Sequence, residues 1–489
     1  MSEVKFSNLK AENGELRIEA EHFLKKYDRL KELLSNHNCV NLSDLVSKPI
    51  QTGHTPSMKN ECFYGGNIKF IKTDNLRDND IKFPFSHYLS ELGNAEIKRT
   101  ELQEDDIITT IIGATYDVIA RSCIIHKNIL PANINQNIAH IRPNKKKILP
   151  EYLNIYLNSK YGKMYLEYLS RQMEQVNLNC EEVGLVKVPL FSSSFQSQIE
   201  QIVKSAHAKL AESKALYAEA EEILLSELGL KDWQPKKNSH TDSILLTQNQ
   251  DEDTKTKRDS VGISNPCDNI ANYSIKRFSD FASSGRLDAE YYQPKYDEIE
   301  EKIKSYKCGF DLVCNLFSQN TDVCDYLESA YNYIEIGDIN TGDGSASYNL
   351  IETKELPDNA KRVIHFGDIL ISKVRPYRGA VSIIDFSASN LIASGAFTVL
   401  QEKSSFKKEV LQVLFRTSVY KDWLLKWNVG SSYPVIKDED ILNLPLPLLP
   451  ESIQSLIAEK IQKSFDLRKQ SKQLLEQAKR MVEEEIEKQ

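Results

Sequence analysis

Residues 203–224 read VKSAHAKLAESKALYAEAEEIL, and within them Val203, Ala206, Leu210, Ser213, Tyr217, Ala220 and Leu224 fall at alternating intervals of three and four. That spacing is a coiled-coil seam, because it keeps one face of an α-helix turned toward a partner helix. Small residues recur every seventh position at Ala206, Ser213 and Ala220. They let two backbones approach closely while the larger residues between them fill the adjoining holes. Residues 461–482, IQKSFDLRKQSKQLLEQAKRMV, repeat the pattern 258 positions later as Ile461, Ser464, Arg468, Ser471, Leu475, Ala478 and Val482, with only Arg468 leaving the size class. A helix from Phe195 to Gly229 is about 52 Å long at 1.5 Å per residue, with Gly229 as its stop. The alternative is that each stripe packs only on its own neighbouring domain. Neither domain needs so long a helix for its core, so the two long helices are expected to pack on each other.

Outward from these stripes the chain is written twice. RIEAEHFLKKYD (17–28) aligns with RLDAEYYQPKYD (286–297), FIKTDNL (70–76) with YIEIGDI (333–339), and DDIITTII (105–112) with GDILISKV (367–374). VPL (188–190) aligns with LPL (444–446), and FQSQIEQIV (195–203) with IQSLIAEKI (453–461), always in the same order. A repeat of this length implies a pseudo-symmetric molecule. Short apolar runs bounded by turn residues mark strands, and EYLNIYLNSKYGKMYLEYL (from Glu151) and KEVLQVLFRTSVYKDWLLKW (from Lys408) mark helices at matching places. The fold class is α+β, with two repeated β-rich domains and two long helices. The expected divisions are an N-terminal helical segment (1–37), a first β-rich domain (38–192), a long central helix (193–230), a flexible linker (231–272), a second copy of the helical lead-in (273–304), a second β-rich domain (305–450) and a C-terminal long helix (451–489). The linker is polar and nearly free of aromatics, a composition that cannot bury a core.

Length and composition agree. At ~100–200 residues per domain, 489 residues predict two to four domains. Hydrophobic residues at 40% and charged residues at 27% place the chain in the soluble globular class. No apolar run reaches the ~18 residues of a membrane span, and the start lacks a basic-then-apolar leader pattern, so the expected compartment is the cytoplasm. Eight cysteines (39, 62, 123, 180, 267, 308, 314, 324) are scattered without CxxC or zinc-finger spacing, which predicts reduced thiols and no metal. The net charge of −8 excludes a uniformly basic coat. Residues 38–190 nevertheless carry 18 basic against 17 acidic side chains, while 191–233 carry 4 against 7. Phosphate neutralisation depends on local rather than total charge, so nucleic-acid binding survives if basic groups gather on one face.

The search for chemistry finds no catalytic set. There is no GxxxxGK[ST], HExxH, GxSxG or GxGxxG, no Asn-Pro-Pro-aromatic tetrapeptide, and no nuclease carboxylate remainder after Pro357-Asp358. The nine histidines are dispersed, none at a spacing that would orient a nucleophile. Binding signals are stronger. SKVRPYRG (372–379) follows a strand and interleaves Lys373, Arg375 and Arg378 with Tyr377, groups that pair with phosphates, fork onto guanine edges or touch sugar and base. A solvated basic loop is the plainer reading. The matching place in the first half, IIGATYDVIARS (111–122), offers Thr115, Tyr116 and Arg121 instead. Lys72, Asn75 and Arg77 in KTDNLR, Asn135 and Gln136 in NINQN (133–137), the lysine run 145–147, and Ser431, Ser432 and Tyr433 before a proline-rich exit complete the candidates. A frame that is kept while its loops diverge is what reading two unlike targets requires.

Together RLDAEYYQPKYD, TIIGATYDVIAR, YIEIGDI and LPLPLLP leading into a long helix resemble the specificity (S) subunit of type I restriction-modification systems, over nearly the whole chain except 234–272. The resemblance implies two target recognition domains separated by an antiparallel pair of long helices, each reading one half of an asymmetric, bipartite double-stranded DNA sequence. It implies two methyltransferase (M) subunits that dock on the helices and bring S-adenosylmethionine, and restriction/translocase (R) subunits that bring ATP and Mg. No cofactor, metal or catalytic residue is expected in this chain. Adenine methylation and cleavage then belong to the complex. The competing reading is a duplicated coiled-coil scaffold whose β-rich domains bind proteins, which the acidic net charge favours. An unrecognised nuclease is the third.

Overall fold

The computed structural model describes residues 24–82, 85–115, 118–172, 175–235, 278–430 and 433–488. Tyr116, Ser431, Ser432, Cys267, the start of the 17–28 repeat and all but five residues of the 231–272 linker lie outside the described residues. The chain divides into two units, Met1–Ala215 with Lys463–Gln489, and Leu216–Gln462. The division therefore falls inside the long helices rather than at their ends.

In the first unit the helix Lys25–Ser35 buries Tyr27, Leu30 and Leu34, one stripe at intervals of three and four. An antiparallel pair, Cys39–Asn41 with Lys187–Pro189, closes the β-rich region that follows. Inside it, four antiparallel strands lie in the order Gln51–Thr52, Ile138–Ile141, Ile107–Thr110, Ser122–Ile124. A second sheet sets Tyr64–Ile71 between Ala132–Ile134, which is parallel to it, and Tyr88–Leu89, which is antiparallel.

The second unit has the same plan. Its helix Pro294–Lys304 buries Tyr296, Ile299 and Ile303, and Phe310–Leu312 pairs with Pro445–Pro447. One antiparallel sheet runs Phe317–Asn320, Phe397–Glu402, Ile369–Ser372, Val381–Ile383. Another holds Ala330–Ile334 parallel to Leu391–Ser394 and antiparallel to Asn349–Glu352, with Ala360–Val363 added at its edge.

The repeat extends to single residues. Asp105 and Gly367 both have positive φ, 70° and 92°, a left-handed corner that glycine adopts freely and Asp tolerates. The next residue is a buried aspartate in each unit. Asp106 Oδ2 accepts from the Gln103 N–H at 2.7 Å, and Asp368 Oδ2 from the His365 N–H at 2.9 Å, which fixes the turn before the central strand. Around Asp106 the first unit adds Arg142, with Nε 2.7 Å from Oδ1, and His140, with Nε2 2.7 Å from Oδ2. The second unit uses the uncharged Gln401 and Asn320 on Asp368. The helix pairs also correspond. Pro150–Asn158 and Lys160–Leu169 are parted by Ser159, whose Oγ accepts from Gly162 N–H. Lys408–Arg416 and Ser418–Trp423 are parted by Thr417, whose hydroxyl accepts from Tyr420 N–H.

The first long helix spans Ser193–Glu227 and the second Glu451–Glu487. Gly229, at φ 61°, ends the first: its N–H donates to Ser226 O and that of Leu230 to Leu225 O, the two bonds of a Schellman stop. Within the first unit the helices touch directly. Ser213 Oγ donates to Ser464 O at 2.8 Å and Ser464 Oγ to Ser213 O at 2.8 Å, while Lys209 Nζ reaches Gln470 Oε1 at 2.7 Å. Numbers rise along one helix as they fall along the other, so the pair is antiparallel. Val203, Ala206, Ser213, Ser464, Ser471, Ala478 and Val482 are buried, and Leu210 and Leu475 half-buried. Within the second unit Lys460 pairs with Glu219 at 2.7 Å, Ala220, Leu224 and Ile461 are buried, and half-buried Tyr217 accepts a 2.6 Å bond from Arg416 Nε. The stripes also serve the domains: Ile199, Val203, Ala478, Val482 and Ile486 belong to the core that contains Tyr152, Tyr156 and Leu157. Packing on the neighbouring domain and packing on the partner helix are thus both present.

Ser213 is 2% exposed, and its reciprocal bonds need both backbones at serine distance. Ser213→Phe should force them apart at a cost of about 1–3 kcal/mol for overpacking, with the Ser464 carbonyl losing its donor. Ser213→Ala should cost about 1 kcal/mol. Thermal denaturation of the two variants checks this, and equal midpoints would contradict the close approach.

Candidate nucleic-acid interface

Most of the first unit's candidates are engaged in holding their own loops. The strand Tyr64–Ile71 runs into a single 3₁₀ turn, Thr73–Asn75. Asn75 is buried, its Oδ1 accepting from Lys72 N–H at 3.1 Å and its Nδ2 donating to Lys82 O at 3.1 Å. Asp338 does the same work in the second unit, accepting from Glu335 N–H at 2.9 Å. The Lys72 ammonium lies 2.9 Å from His87 Nδ1 and over the Phe70 ring. Burial, then the Lys72 charge, pushes the His87 imidazole below its ordinary value, so its neutral ring accepts. Arg77 folds back to donate to Leu76 O at 2.7 Å and Asp74 O at 3.2 Å. Asn135 is buried and accepts from Asn137 N–H at 3.3 Å. Gln136 is exposed and accepts from Thr55 Oγ1 at 2.6 Å.

Thr115 is exposed at the loop end, and half-buried Arg121 bonds through its N–H to Thr110 Oγ1 at 3.1 Å. In the lysine run, Lys145 pairs with Asp105 at 2.5 Å and Lys147 donates to Asp44 O at 2.7 Å, which leaves Lys146 pointing to solvent.

The second unit gathers its candidates better. The strand Ile369–Ser372 ends in a loop whose middle, Pro376–Arg378, is a 3₁₀ turn. Lys373, at the loop's base, is only 15% exposed and sits 3.1 Å from Asp438, which also accepts from Thr398 Oγ1 at 2.6 Å. Its charge is neutralised inside the domain. Beyond it the loop meets a segment nearly sixty residues later in sequence. Val374 bridges Val435, Arg375 N–H donates to Pro434 O at 2.7 Å, and Ile436 N–H to Lys373 O at 3.0 Å. This seam brings the Arg375 guanidinium over the Tyr433 ring, 4.0 Å from its centroid. Tyr433 is 60% and Tyr377 40% exposed, and Arg378 is exposed beside them.

The tip therefore presents two tyrosines and two guanidiniums on one loop pair. Lys437, exposed at the N-cap of the helix Asp438–Leu442 that follows this segment, was not among the sequence candidates; its signal was the basic residue in YPVIKDED. Sequence placed Arg375 and Tyr433 in separate segments, and only the folded chain stacks them. Asn75 and Asn135 are buried and Lys373 is largely so, each with internal bonds. Among the described residues no group of three or more His, Cys, Asp and Glu could hold a metal ion, and no helix is long and apolar enough to cross a membrane.

Comparison with known proteins follows the repeat. The family model described as type I restriction modification DNA specificity domain matches residues 35–222 and again 313–479. The type I restriction enzyme EcoBI specificity subunit of Escherichia coli is 28% identical over 141 residues. That stretch is 29% of this chain and 29% of the relative, so the match spans under a third of the relative's length. Among solved structures, the S subunit of a type I restriction-modification system from M. genitalium aligns over 92% of this chain and 95% of its own at 9% identity and a TM-score of 0.38. The HsdS subunit from Thermoanaerobacter tengcongensis aligns over 91% and 95% at 14% identity and a TM-score of 0.28. Because the family model is met twice, once over each β-rich region and its long helix, this chain belongs to the type I restriction modification DNA specificity domain family.

Proposed function

We propose that this chain is the DNA sequence-reading subunit of a type I restriction-modification complex. In this reading each unit recognises one half of an asymmetric, bipartite target, and the chain works in the cytoplasm. The observation that carries it is one four-strand order built twice, with a basic, aromatic tip at Arg375, Tyr377, Arg378 and Tyr433 in one copy and Thr115, Arg121 and Gln136 at the corresponding end of the sheet in the other. The long antiparallel helices offer a platform for methyltransferase subunits, which would bring S-adenosylmethionine. Restriction/translocase subunits would bring ATP and Mg. Methylation of adenine and cleavage are then performed by those partners, and this chain contributes no catalytic group.

Long-read mapping of methylated adenine in cells that carry the complex tests the proposal. A bipartite motif that disappears with this chain is expected, whereas a continuous palindrome or a motif independent of the chain would refute it. Affinity of the assembled complex for its target should also fall steeply with salt, because each neutralised phosphate releases counterions. The competing reading, a protein-binding scaffold, is favoured by the net charge of −8 and by the internal pairing of Lys373 and Lys145. It predicts a flat salt response.

A further inference from the structure

We propose that Arg375 is a base-reading residue, its guanidinium held ready to fork onto a single guanine edge in the half-site read by the second unit; this rests on the DNA-reading function proposed above. Four observations converge on it. Arg375 occupies the left-handed region at φ 49°, ψ 54°, a conformation that costs a non-glycine residue free energy and persists only where its surroundings impose it. The surroundings do so here: Arg375 N–H is bound to Pro434 O, Arg378 N–H is bound to Arg375 O at 2.9 Å, and the Val374–Val435 bridge precedes it. The side chain is then fixed at its far end by stacking on Tyr433, with the guanidinium carbon 4.0 Å from the ring centroid. Finally, the guanidinium makes no hydrogen bond or ion pair to any described residue, unlike Arg142, Arg77, Arg286 and Arg416, each of which donates from its guanidinium within the fold.

A structural arginine spends its donors within the fold; this one is oriented at both ends and gives no guanidinium donor to any described residue. Rotamer freedom lost in advance is not lost again on binding. A planar fork presented edge-on matches the paired O6 and N7 acceptors of guanine in the major groove. Arg378 and Lys437, exposed on either side without such fixing, suit the less directional contacts with phosphate.

The test uses the assembled complex and duplexes that carry its mapped methylation motif, with each guanine replaced in turn by 7-deazaguanine, which lacks the N7 acceptor. One guanine should stand out. Its replacement and Arg375→Gln should each weaken binding about tenfold to a hundredfold, and together no more than either alone. Arg375→Lys keeps the charge and loses the fork, so it should relax the same position while the salt slope stays unchanged. Tyr433→Phe should preserve the preference and Tyr433→Ala weaken it. Uniform loss of affinity on every duplex with a shallower salt slope would make Arg375 a phosphate contact and overturn the inference. So would unchanged binding, or a half-site without guanine. A wild-type complex with no sequence preference would instead refute the DNA-reading function itself.

Discussion

Exchanging residues 38–190 for the matching segment of a family member with another target is expected to replace one half of the methylated motif and leave the other half intact. The physical reason is closure. Leu190 N–H donates to Asn38 O at 2.8 Å, beside the antiparallel pair Cys39–Asn41 and Lys187–Pro189. The segment therefore begins and ends at one point and can be cut out without opening a sheet. It also lies wholly within the first unit. The exchange should keep the residues facing Ile199, Val203, Ala478 and Val482, because Tyr152 and Tyr156 share their core. Specific sites are bound ~10³- to 10⁷-fold more tightly than bulk DNA, so the old half-site should vanish from the methylation map rather than fade. Changes in both halves would contradict independent reading.

A second large effect is expected in acid. His126 and His207 lie with ring centroids 4.1 Å apart in the first unit, each with a buried Nε2 that has no hydrogen-bond partner among the described residues. Burial, then the charges of His126 and Lys214, pushes His207 down to about 3. His126 is lowered by burial against the attraction of Asp105 and Glu104, with Lys214 adding to the lowering. His140 is lowered by burial despite its bond to Asp106. Each imidazole stays neutral in the folded chain while the unfolded chain takes up its proton near pH 6.5. The stability they hold is therefore complete above about pH 6.5 and lost as pH falls. The loss is about 1.4 kcal/mol per pH unit for each histidine that remains unprotonated in the fold, and for His207 it continues toward pH 3. Asp106 adds a later loss. Burial opposes its ionisation, but the bonds from Arg142 and His140 and the Gln103 N–H hold its carboxyl below the ordinary carboxylate range. Its contribution is present above about pH 4 and disappears as pH falls through the lowered value. Denaturation series between pH 7.5 and 4.5 should show the slope, and His207→Phe should flatten it. An unchanged slope would show that the pair opens to water before it titrates.

Much of this molecule was readable from residues alone, and the reason is locality. The seam from Val203 to Leu224 and its copy from Ile461 to Val482 follow from helical geometry, which depends only on spacing along the chain. At Gly229 the helix stops through local bonds, its own N–H to Ser226 O and the next residue's N–H to Leu225 O. The equivalence of DDIITTII and GDILISKV survives as two left-handed corners followed by two turn-fixing aspartates. What residue type alone did not give is exposure. Lys373 reads as a basic loop residue, yet Asp438, 65 positions away, neutralises it. Asn75 and Asn135, singled out for their amides, are buried and hold turns.

Sequence by itself determined the duplication, the two long amphipathic helices and the position of the loops that differ between the halves, because each is a pattern of residue types at fixed intervals. Only the tertiary structure decided which basic side chains stay available. That outcome depends on long-range pairings, such as Val374 with Val435, which place a tyrosine under one arginine and a carboxylate against the lysine two residues before it.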